Sequence, residues 1–292
     1  METFFEKNFA GQFLVNEPMR NHTSLKIGGL TRILFLPKKI SDVQSVINFC
    51  REQGIKFFLM GNGTNLLVDD NGFDGVIIKL NRDMSSVTVK DTEIEAESGI
   101  FLSRLAKIAL ANNLSGLEFA SGIPGTLGGA ICMNAGAYGN EIKNVFLSAQ
   151  ILHEGKIKTF TDLKFGYRKS LIDENYVVLS AKIKLQYGDH DEILHKMNEY
   201  AQKRKASQPL EFPNAGSTFK RANNISAGKL IMDAGLANYR VGDACVSKKH
   251  CGFIINLGRA TSKDVLNLIE HVKSVVYNKF NIVLEPEIKF LN

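Results

Sequence analysis

The chain has 292 residues, of which 44% are hydrophobic and 23% are charged, which are ordinary values for a globular protein. The 36 basic and 30 acidic residues leave a net charge of +6, and the scattered basic residues suit small anions and argue against nucleic acid as a partner. No run approaches the roughly 18 apolar residues of a membrane span. We therefore expect no membrane segment, and the length of the chain predicts two or three domains.

Cysteine and histidine spacing excludes the common metal and disulfide frameworks. The four cysteines contain no C-x-x-C pair, and the six histidines contain no H-E-x-x-H motif, so we expect neither a metal site nor disulfides. Free thiols suit a reducing compartment. Acidic Glu2 and Glu6, with no long apolar core beside them, argue against a signal peptide. We therefore expect a cytoplasmic protein. The cysteines are Cys50, Cys132, Cys245 and Cys251.

The first predicted elements are a strand and an amphipathic helix. Residues 31–38 read as a strand, after which Ser41 and Gln44 form a capping-box pattern that predicts a helix start at Ser41. Apolar residues then recur at helical spacing. Gly54 is expected to end the helix at its C′ position.

The remaining pattern mixes strands and helices without repeats, which predicts an α+β fold. Further strands are predicted over residues 55–60, 75–80, 87–96 (as a hairpin), 145–152, 156–160, 176–187, 251–257 and 282–284. Further helices are predicted over 101–110, from Asp189 or His190 to the basic run at 203–205 with Ile193, Met197, Tyr200 and Ala201 facing inward, after Ser226, and from Thr261. For the last helix, Thr261 and Asp264 provide the N-terminal cap.

Two glycine-rich loops carry the strongest functional signal. Small uncharged residues beside glycine let a backbone approach a ligand closely, and runs of free N–H groups bind anions. From this composition we predict that the two loops hold one large phosphorylated cofactor. They do so in another way than a P-loop or a G-x-G-x-x-G fingerprint, because the sequence contains neither motif. The alternative is a pair of tight turns in a large sheet protein. The loops comprise Gly61, Asn62, Gly63, Thr64 and Asn65, and then Ser121, Gly122, Ile123, Pro124, Gly125, Thr126, Gly128 and Gly129, followed by Asn134 and Gly136.

Three short stretches place polar groups in unusual company. Arg168 lies between a tyrosine and a lysine beside a glycine, and a guanidinium binds carboxylate or phosphate in a bidentate way. Ser217 lies on a small, flexible turn. Period-two alternation along a predicted strand places Glu285, Glu287 and Lys289 on one face. Each stretch also has a purely structural reading, namely a surface arginine, a turn serine and an edge-strand acid.

Taken together, the motifs resemble the UDP-N-acetylenolpyruvoylglucosamine reductases of bacterial cell-wall synthesis, the MurB family. The resemblance covers nearly the whole chain, and the order and spacing of the motifs are more specific than any one of them. The matching segments are Asn21–Gly29, Gly61–Asn65, Gly116–Gly129, Tyr167–Arg168, Gly216–Lys220 and Leu284–Glu287.

The resemblance implies an α+β fold with a two-part FAD-binding region of the vanillyl-alcohol-oxidase or PCMH type and a smaller α+β substrate-binding domain. We expect residues 1–80 to form the first FAD-binding subdomain, to which residues 281–292 return. Residues 81–207 are expected to form the second subdomain, and residues 208–280 the substrate domain.

The resemblance further implies non-covalent FAD in the two glycine loops and NADPH as the reductant. Hydride then reaches C3 of an enolpyruvyl UDP-sugar through flavin N5, and a proton is added at C2. Ser217 matches the proton donor, and Arg168 and Glu287 match the pair that stabilises charge at the substrate carboxylate. We expect a raised pKa for Glu287, because its carboxyl group must donate a hydrogen bond there. The expected partners are these small molecules alone, and the expected state is a monomer.

The chain departs from the family pattern at two places. No insertion between residues 171 and 207 matches the family's extra tyrosine loop, so the chain resembles the shorter branch, in which Arg204 and Lys205 are candidates to close over the uridine. Cys245 stands where the family more often has glutamine. Candidate substrate-binding residues are Tyr167, Arg204, Lys205, Lys220 and Lys289. The alternatives are an FAD-linked oxidoreductase for another small anion and a nucleotide-binding module without turnover.

Overall fold

A computed structural model describes residues 1–9 and 12–292, and the chain forms two compact units. The first unit comprises Met1–Val15, Ile33–Asn62 and Gly75–Arg204, and the second comprises Asn16–Arg32, Gly63–Asp74 and Lys205–Asn292. None of the helices formed by the described residues combines the length and apolar character needed to cross a membrane.

The described residues form α-helices separated by runs of one or more strands, except that α6 follows α5 directly. The α-helices are α1 (Glu2–Asn8), α2 (Ile40–Glu52), α3 (Leu102–Ala111), α4 (Leu127–Cys132), α5 (His190–Ser207), α6 (Ala227–Asp233) and α7 (Ser262–Phe280). Short 3₁₀ helices span Met19–Asn21, Arg82–Met84, Glu118–Ala120 and Ile142–Asn144.

The strands are short, and most of them pair with antiparallel neighbours. They are β1 (Phe13–Pro18), β2 (Leu30–Phe35), β3 (Phe57–Met60), β4 (Leu66–Val68), β5 (Phe73–Lys79), β6 (Val87–Lys90), β7 (Glu93–Glu97), β8 (Leu114–Ser115), β9 (Gly136–Ala137), β10 (Asn140–Glu141), β11 (Phe146–His153), β12 (Lys156–Phe160), β13 (Tyr176–Lys184), β14 (Gln186–Tyr187), β15 (Arg240–Val241), β16 (Ala244–Val246), β17 (Ile254–Asn256) and β18 (Lys289–Leu291).

The first unit is built on an antiparallel five-stranded sheet of order β12-β11-β13-β7-β6. Helices α3 and α4 contribute apolar side chains to the core on this sheet, among them Leu105 and Ile131, both fully buried. A second core in this unit gathers α1 and α2 around Phe5 and Phe35. Strand β3 pairs in parallel with β5 in a four-stranded sheet of order β1-β2-β5-β3, and its end delivers the chain to the first glycine loop.

The second unit packs α6 and α7 with an antiparallel sheet of order β15-β16-β17. Fully buried Leu268, Val272 and Val276 on α7 are part of this core. In the same unit, β18 runs parallel to β4, with Lys289 opposite Leu66. The C-terminal strand is thereby tied to the segment that follows the first glycine loop.

Local signals predicted several elements correctly. Thr261 and Asp264 form the predicted capping box at the start of α7, and Gly54 follows α2 with a φ of 62°. The hairpin over residues 87–96 is present as β6 and β7. The three predicted strands between residues 145 and 187 are confirmed as β11, β12 and β13, with β14 continuing the last.

Two local predictions about helices are wrong. Helix α2 starts at Ile40, because the Asp42 carboxylate accepts hydrogen bonds from the backbone N–H groups of Lys38 (3.2 Å) and Lys39 (3.1 Å), which moves the start ahead of Ser41. Ala201 on α5 is exposed, so it does not face inward.

The predicted strand over residues 282–284 does not form. A strand is present only at β18, and Pro286 makes an isolated bridge to Phe219. Proline lacks the N–H group that a regular ladder needs, so the segment before β18 is irregular. The regular strand from which one face for Glu285, Glu287 and Lys289 was inferred is therefore present only from Lys289 onward.

Candidate active site

In the first unit, the start of the first glycine loop lies against the second loop. Gly61 follows β3, and a Cβ atom there would lie 2.2 Å from Thr126 Oγ1. The Asn62 side-chain amide donates a hydrogen bond to the Pro124 carbonyl oxygen (2.9 Å). A side chain at position 61 would displace the Thr126 hydroxyl, so glycine suits this close approach, and the Asn62 hydrogen bond joins the first loop to the second.

The second glycine loop runs into helix α4 and is anchored from beneath. The backbone N–H of Leu127 donates to the Ile100 carbonyl (2.9 Å), and that of Gly128 donates to the Ser98 carbonyl (2.9 Å). A Cβ atom on Gly128 would lie 2.8 Å from Ser98 Cβ. The backbone N–H groups of Leu127 and Gly128 are therefore hydrogen-bonded within the protein. The lack of a side chain at Gly128 allows the loop to pack closely against Ser98.

This scaffold fits a flavin cofactor that is bound through the backbone. Residues Gly122, Pro124 and Gly129 are exposed on the anchored loop, where small residues leave the chain open to a ligand. Beneath them, the Ser98 hydroxyl oxygen is buried and has no hydrogen-bond partner among the described residues. The predicted residues Ser121, Ile123, Gly125 and Thr126 lie along the same loop, and Thr126 is the N-cap residue of α4.

We predict that Gly128→Ala lowers the unfolding free energy of the apoprotein by about 1–3 kcal/mol, because the new methyl group collides with Ser98 Cβ. Urea denaturation measures the change, and the FAD content of the purified protein reports the loop. Adding Ser98→Gly removes the colliding atom and is expected to restore most of the loss. If the double variant is as unstable as Gly128→Ala, the clash is not the cause.

Gly129→Ala is the matched control for this prediction. Its Cβ atom would lie 3.7 Å from the nearest neighbour, Thr126 Oγ1, which is an ordinary contact. Alanine also favours a helix over glycine by about 1 kcal/mol. We expect no loss of stability, so any loss of FAD in this variant reports a contact with the cofactor.

Arg168 lies in a tight turn with an unusual backbone. Its φ angle is 55°, a left-handed value that costs a bulky residue about 1–3 kcal/mol. Gly166 and Lys169 close the turn with two backbone hydrogen bonds, of 2.9 and 3.3 Å. The guanidinium lies 5.3 Å from the centre of the Tyr167 ring, and Nη2 donates to the Gly136 carbonyl (3.0 Å). Strain of this kind clusters at functional sites.

Asn134, predicted to bind the cofactor, uses its side chain to hold this turn. The side chain is fully buried. Its amide group donates to the Gly166 carbonyl (3.0 Å) and to the Glu141 carboxylate, and its oxygen accepts from the backbone N–H of Lys143 (3.0 Å). Protein groups thus occupy the polar atoms of Asn134.

The Arg204 side chain, from helix α5, packs against the second glycine loop within the first unit. Its Cδ atom would be 3.3 Å from a Cβ atom on Gly122. Burial lowers the pKa of the Arg204 guanidinium, and the nearby Tyr138 partly offsets this effect. Nearby, the Tyr138 ring stacks on Tyr200 with 4.1 Å between centres. Of the predicted substrate-binding residues, Arg204 and Tyr167 therefore belong to the first unit, in which the two glycine loops contact each other.

In the second unit, Ser217 lies on a turn that the neighbouring side chain of Asn214 builds. Gly216 has a φ of 77°, and its N–H donates to Asn214 Oδ1 (3.0 Å). The Asn214 amide in turn donates to the Phe212 carbonyl (2.8 Å). Ser217 itself is exposed. The turn presents its hydroxyl to solvent or ligand.

Backbone pairing brings Glu287 to the segment that carries Ser217. The N–H of Glu287 donates to the carbonyl of Thr218 (2.7 Å), the residue after Ser217. Asn65, from the first glycine loop, donates its side-chain amide to the Glu287 carbonyl (3.0 Å), and its backbone carbonyl accepts from the N–H of Lys289 (3.0 Å). Asn65 thus positions the Glu287 segment, whereas Gly63 and Thr64 precede it in the same unit.

The predicted substrate lysines differ in how they are held. Lys220 forms an ion pair with Glu285, and its side chain is 22% exposed. Lys289 is exposed at the start of β18. Lys205 is also exposed, and its carbonyl accepts a hydrogen bond from Lys249 Nζ (2.8 Å). Lys205 and Lys289 therefore present charge at the surface of the second unit, whereas Lys220 is partly neutralised.

Cys245 lies in the middle strand of the three-stranded sheet of the second unit, paired with Ile255. Its side chain is 4% exposed, and its thiol donates to the Val246 carbonyl (3.4 Å). Burial raises the pKa of the Cys245 thiol. A buried thiol of this kind is inert.

Sequence reasoning missed the positioning role of Asn134 and Asn65, whose partners are distant in the chain. It also missed helix α4. The helix begins with one leucine and two glycines after Thr126, and glycine is a poor helix former. The one available signal was the asparagine in each glycine-rich segment, since its short amide bridges backbone groups well.

The comparisons with known proteins first define the class. Residues 31–161 match the model of an FAD binding domain, and residues 208–291 match the model of the UDP-N-acetylenolpyruvoylglucosamine reductase C-terminal domain. Together with the mixed content of helices and strands, these matches confirm the predicted α+β flavoprotein fold, with FAD as its cofactor.

The relatives then define the family. A UDP-N-acetylenolpyruvoylglucosamine reductase of Caldanaerobacter subterraneus is 50% identical over 96% of this chain and 94% of its own length. One of Clostridioides difficile is 46% identical over 95% of this chain and 92% of its own length. The crystal structure of the Thermus caldophilus enzyme has a TM-score of 0.82 at 32% identity, covering 96% of this chain and 98% of that one. The chain belongs to the UDP-N-acetylenolpyruvoylglucosamine reductase (MurB) family.

Proposed function

We propose that the protein reduces the enolpyruvyl ether of a UDP-N-acetylglucosamine to UDP-N-acetylmuramate, with NADPH as the reductant. The observation that carries the proposal is the backbone pairing of Thr218 with Glu287, because it brings the proposed proton donor Ser217 to the same part of the second unit as a carboxyl group. The named relatives, which match over nearly their whole length, support the same reaction.

FAD, which the two glycine-rich loops would hold, would supply the hydride chemistry between NADPH and C3 of the enolpyruvyl group. Negative charge then develops over C2 and the substrate carboxylate. Arg168 stabilises that charge through its planar guanidinium, which pairs with carboxylates in a bidentate way. Glu287 contributes as a hydrogen-bond donor in its protonated form, which requires a raised pKa.

Ser217 donates the proton at C2. A serine hydroxyl is a weak acid in water, but a positioned general acid contributes about 10²–10⁴-fold to a rate. Its exposure on the Gly216 turn leaves the hydroxyl available to substrate. Lys205 and Lys289 suit the diphosphate of a UDP-sugar, since both amines are exposed.

We propose the three-part organisation predicted above, with residues 208–280 as the substrate domain. The C-terminal family model begins at residue 208, and the second unit takes up the chain at Lys205, which supports a boundary near this point. The cytoplasmic location and the monomeric state stay predictions.

An anaerobic visible spectrum tests the proposed reaction. We expect the protein to carry a flavin band that bleaches on addition of NADPH and returns when the enolpyruvyl UDP-sugar is added. A band that bleaches but returns only with oxygen points to another substrate. A band that NADPH leaves unchanged contradicts the proposed reductant.

A further inference from the structure

The left-handed turn at Arg168 is held by one short segment of the first unit, residues 132–136, at three points. The Asn134 amide donates to the Gly166 carbonyl (3.0 Å), and Arg168 Nη2 donates to the Gly136 carbonyl (3.0 Å). Beyond the turn, the Ser170 hydroxyl donates to the Cys132 carbonyl (2.9 Å). This segment begins at Cys132, the last residue of α4, and so lies directly after the second glycine loop and its helix.

Asn134 is the buried member of these three contacts, and it alone uses a side chain of the holding segment. The Gly166 carbonyl accepts from the Lys169 N–H at 3.3 Å, a long bond, and from Asn134 at 3.0 Å, so the asparagine makes the shorter contact. Asn134 is itself held by Glu141 and by the N–H of Lys143. Two strands, β9 and β10, join these residues into a small hairpin.

We propose that Asn134 is a positioning residue that fixes the Arg168 guanidinium relative to the flavin-binding loop. The inference rests on the proposed function, in which Arg168 contacts the substrate carboxylate. A carboxylate needs a planar fork at a defined angle, and small displacements of a charge-stabilising group lower a rate steeply. Without Asn134, the strained turn loses the hydrogen bond that orients the Gly166 carbonyl.

A pair of nucleotide sugars separates this role from general stability. UDP-N-acetylmuramate carries the carboxylate that Arg168 is proposed to bind, and UDP-N-acetylglucosamine lacks it. By isothermal titration of the oxidised holoenzyme, we expect Asn134→Leu to weaken the first ligand about tenfold, the loss of about one charge-assisted hydrogen bond. Binding of UDP-N-acetylglucosamine is expected to change less than twofold. Equal weakening of both ligands overturns the inference.

A double-variant cycle tests whether Asn134 acts through Arg168. After Arg168→Lys, Asn134→Leu is expected to add less than twofold to the loss of UDP-N-acetylmuramate binding, because interacting residues give non-additive effects. Full additivity of the two losses contradicts a positioning role. If Arg168→Lys alone leaves binding and reoxidation unchanged, the proposed role of Arg168 fails as well. If Arg168→Lys weakens binding and Asn134→Leu does not, only the present inference fails.

A third variant keeps the test decisive if Asn134→Leu does not fold. Asn134→Asp has nearly the same shape, but it places a second carboxyl group beside Glu141, which also pairs with Lys143 Nζ (2.9 Å). One cation cannot balance two carboxylates, so the like charges raise the pKa of one of them. The protonated form regains one donor. We expect the affinity of Asn134→Asp for UDP-N-acetylmuramate, relative to the unaltered protein, to recover severalfold from pH 8 to pH 6. A ratio that is constant over this range contradicts the proposed hydrogen bond, and Glu141→Gln, which keeps the acceptor, is expected to show no such dependence.

Discussion

Ser217→Ala is expected to slow reoxidation of the reduced flavin by the enolpyruvyl UDP-sugar by about 10²–10⁴-fold, the usual contribution of a general acid. Flavin reduction by NADPH is expected to stay within twofold of the unaltered rate, since no proton reaches carbon in that half-reaction. Anaerobic stopped-flow absorbance separates the two rates. If both half-reactions survive at unaltered rates, Ser217 is not the proton donor.

Ser226→Ala supplies a matched control for this substitution. Ser226 is an exposed serine of the same unit at the N-cap of α6, where its side chain makes no capping hydrogen bond. Its replacement removes the same oxygen atom and is expected to leave both half-reactions unchanged. A loss in the control equal to that of Ser217→Ala would show that the assay reports damage to the second unit rather than the loss of a proton.

The predictions that succeeded depended on residues close together in the chain. The capping box at Thr261 and Asp264, the C′ glycine at Gly54 and the β6–β7 hairpin each follow from a few neighbouring residues. Such signals need no knowledge of the rest of the fold. The family motifs worked in the same way, because each is a short run at a recognisable spacing.

The failed strand prediction over residues 282–284 concerns a segment whose partners lie far away in the chain. The segment before β18 alternates like a strand, yet it is held by single contacts to Thr218, Phe219 and Asn65. The left-handed backbone at Arg168 is equally invisible in the sequence, because arginine has no preference for it and the contact from Asn134 spans 32 residues. Side chains that bridge separate loops position the site residues, and a local pattern can indicate such an asparagine but not its distant partner.

Arg168→Lys is expected to slow reoxidation of the reduced flavin by about 10²–10³-fold, which is typical for the loss of one charge-stabilising group. Lysine keeps the positive charge but not the planar fork that matches a carboxylate. Arg168→Gly removes the guanidinium, while glycine accepts the 55° backbone without strain. The glycine variant is therefore expected to fold normally and to be at least as slow, which separates chemistry from stability.

Lys164→Gly is the matched control, because Lys164 is an exposed basic residue with a φ of 49° in the same unit. Stopped-flow rates for the three variants decide the point: if Lys164→Gly slows reoxidation as much as Arg168→Gly does, the change acts through the loop backbone, and the proposed role of the guanidinium is wrong.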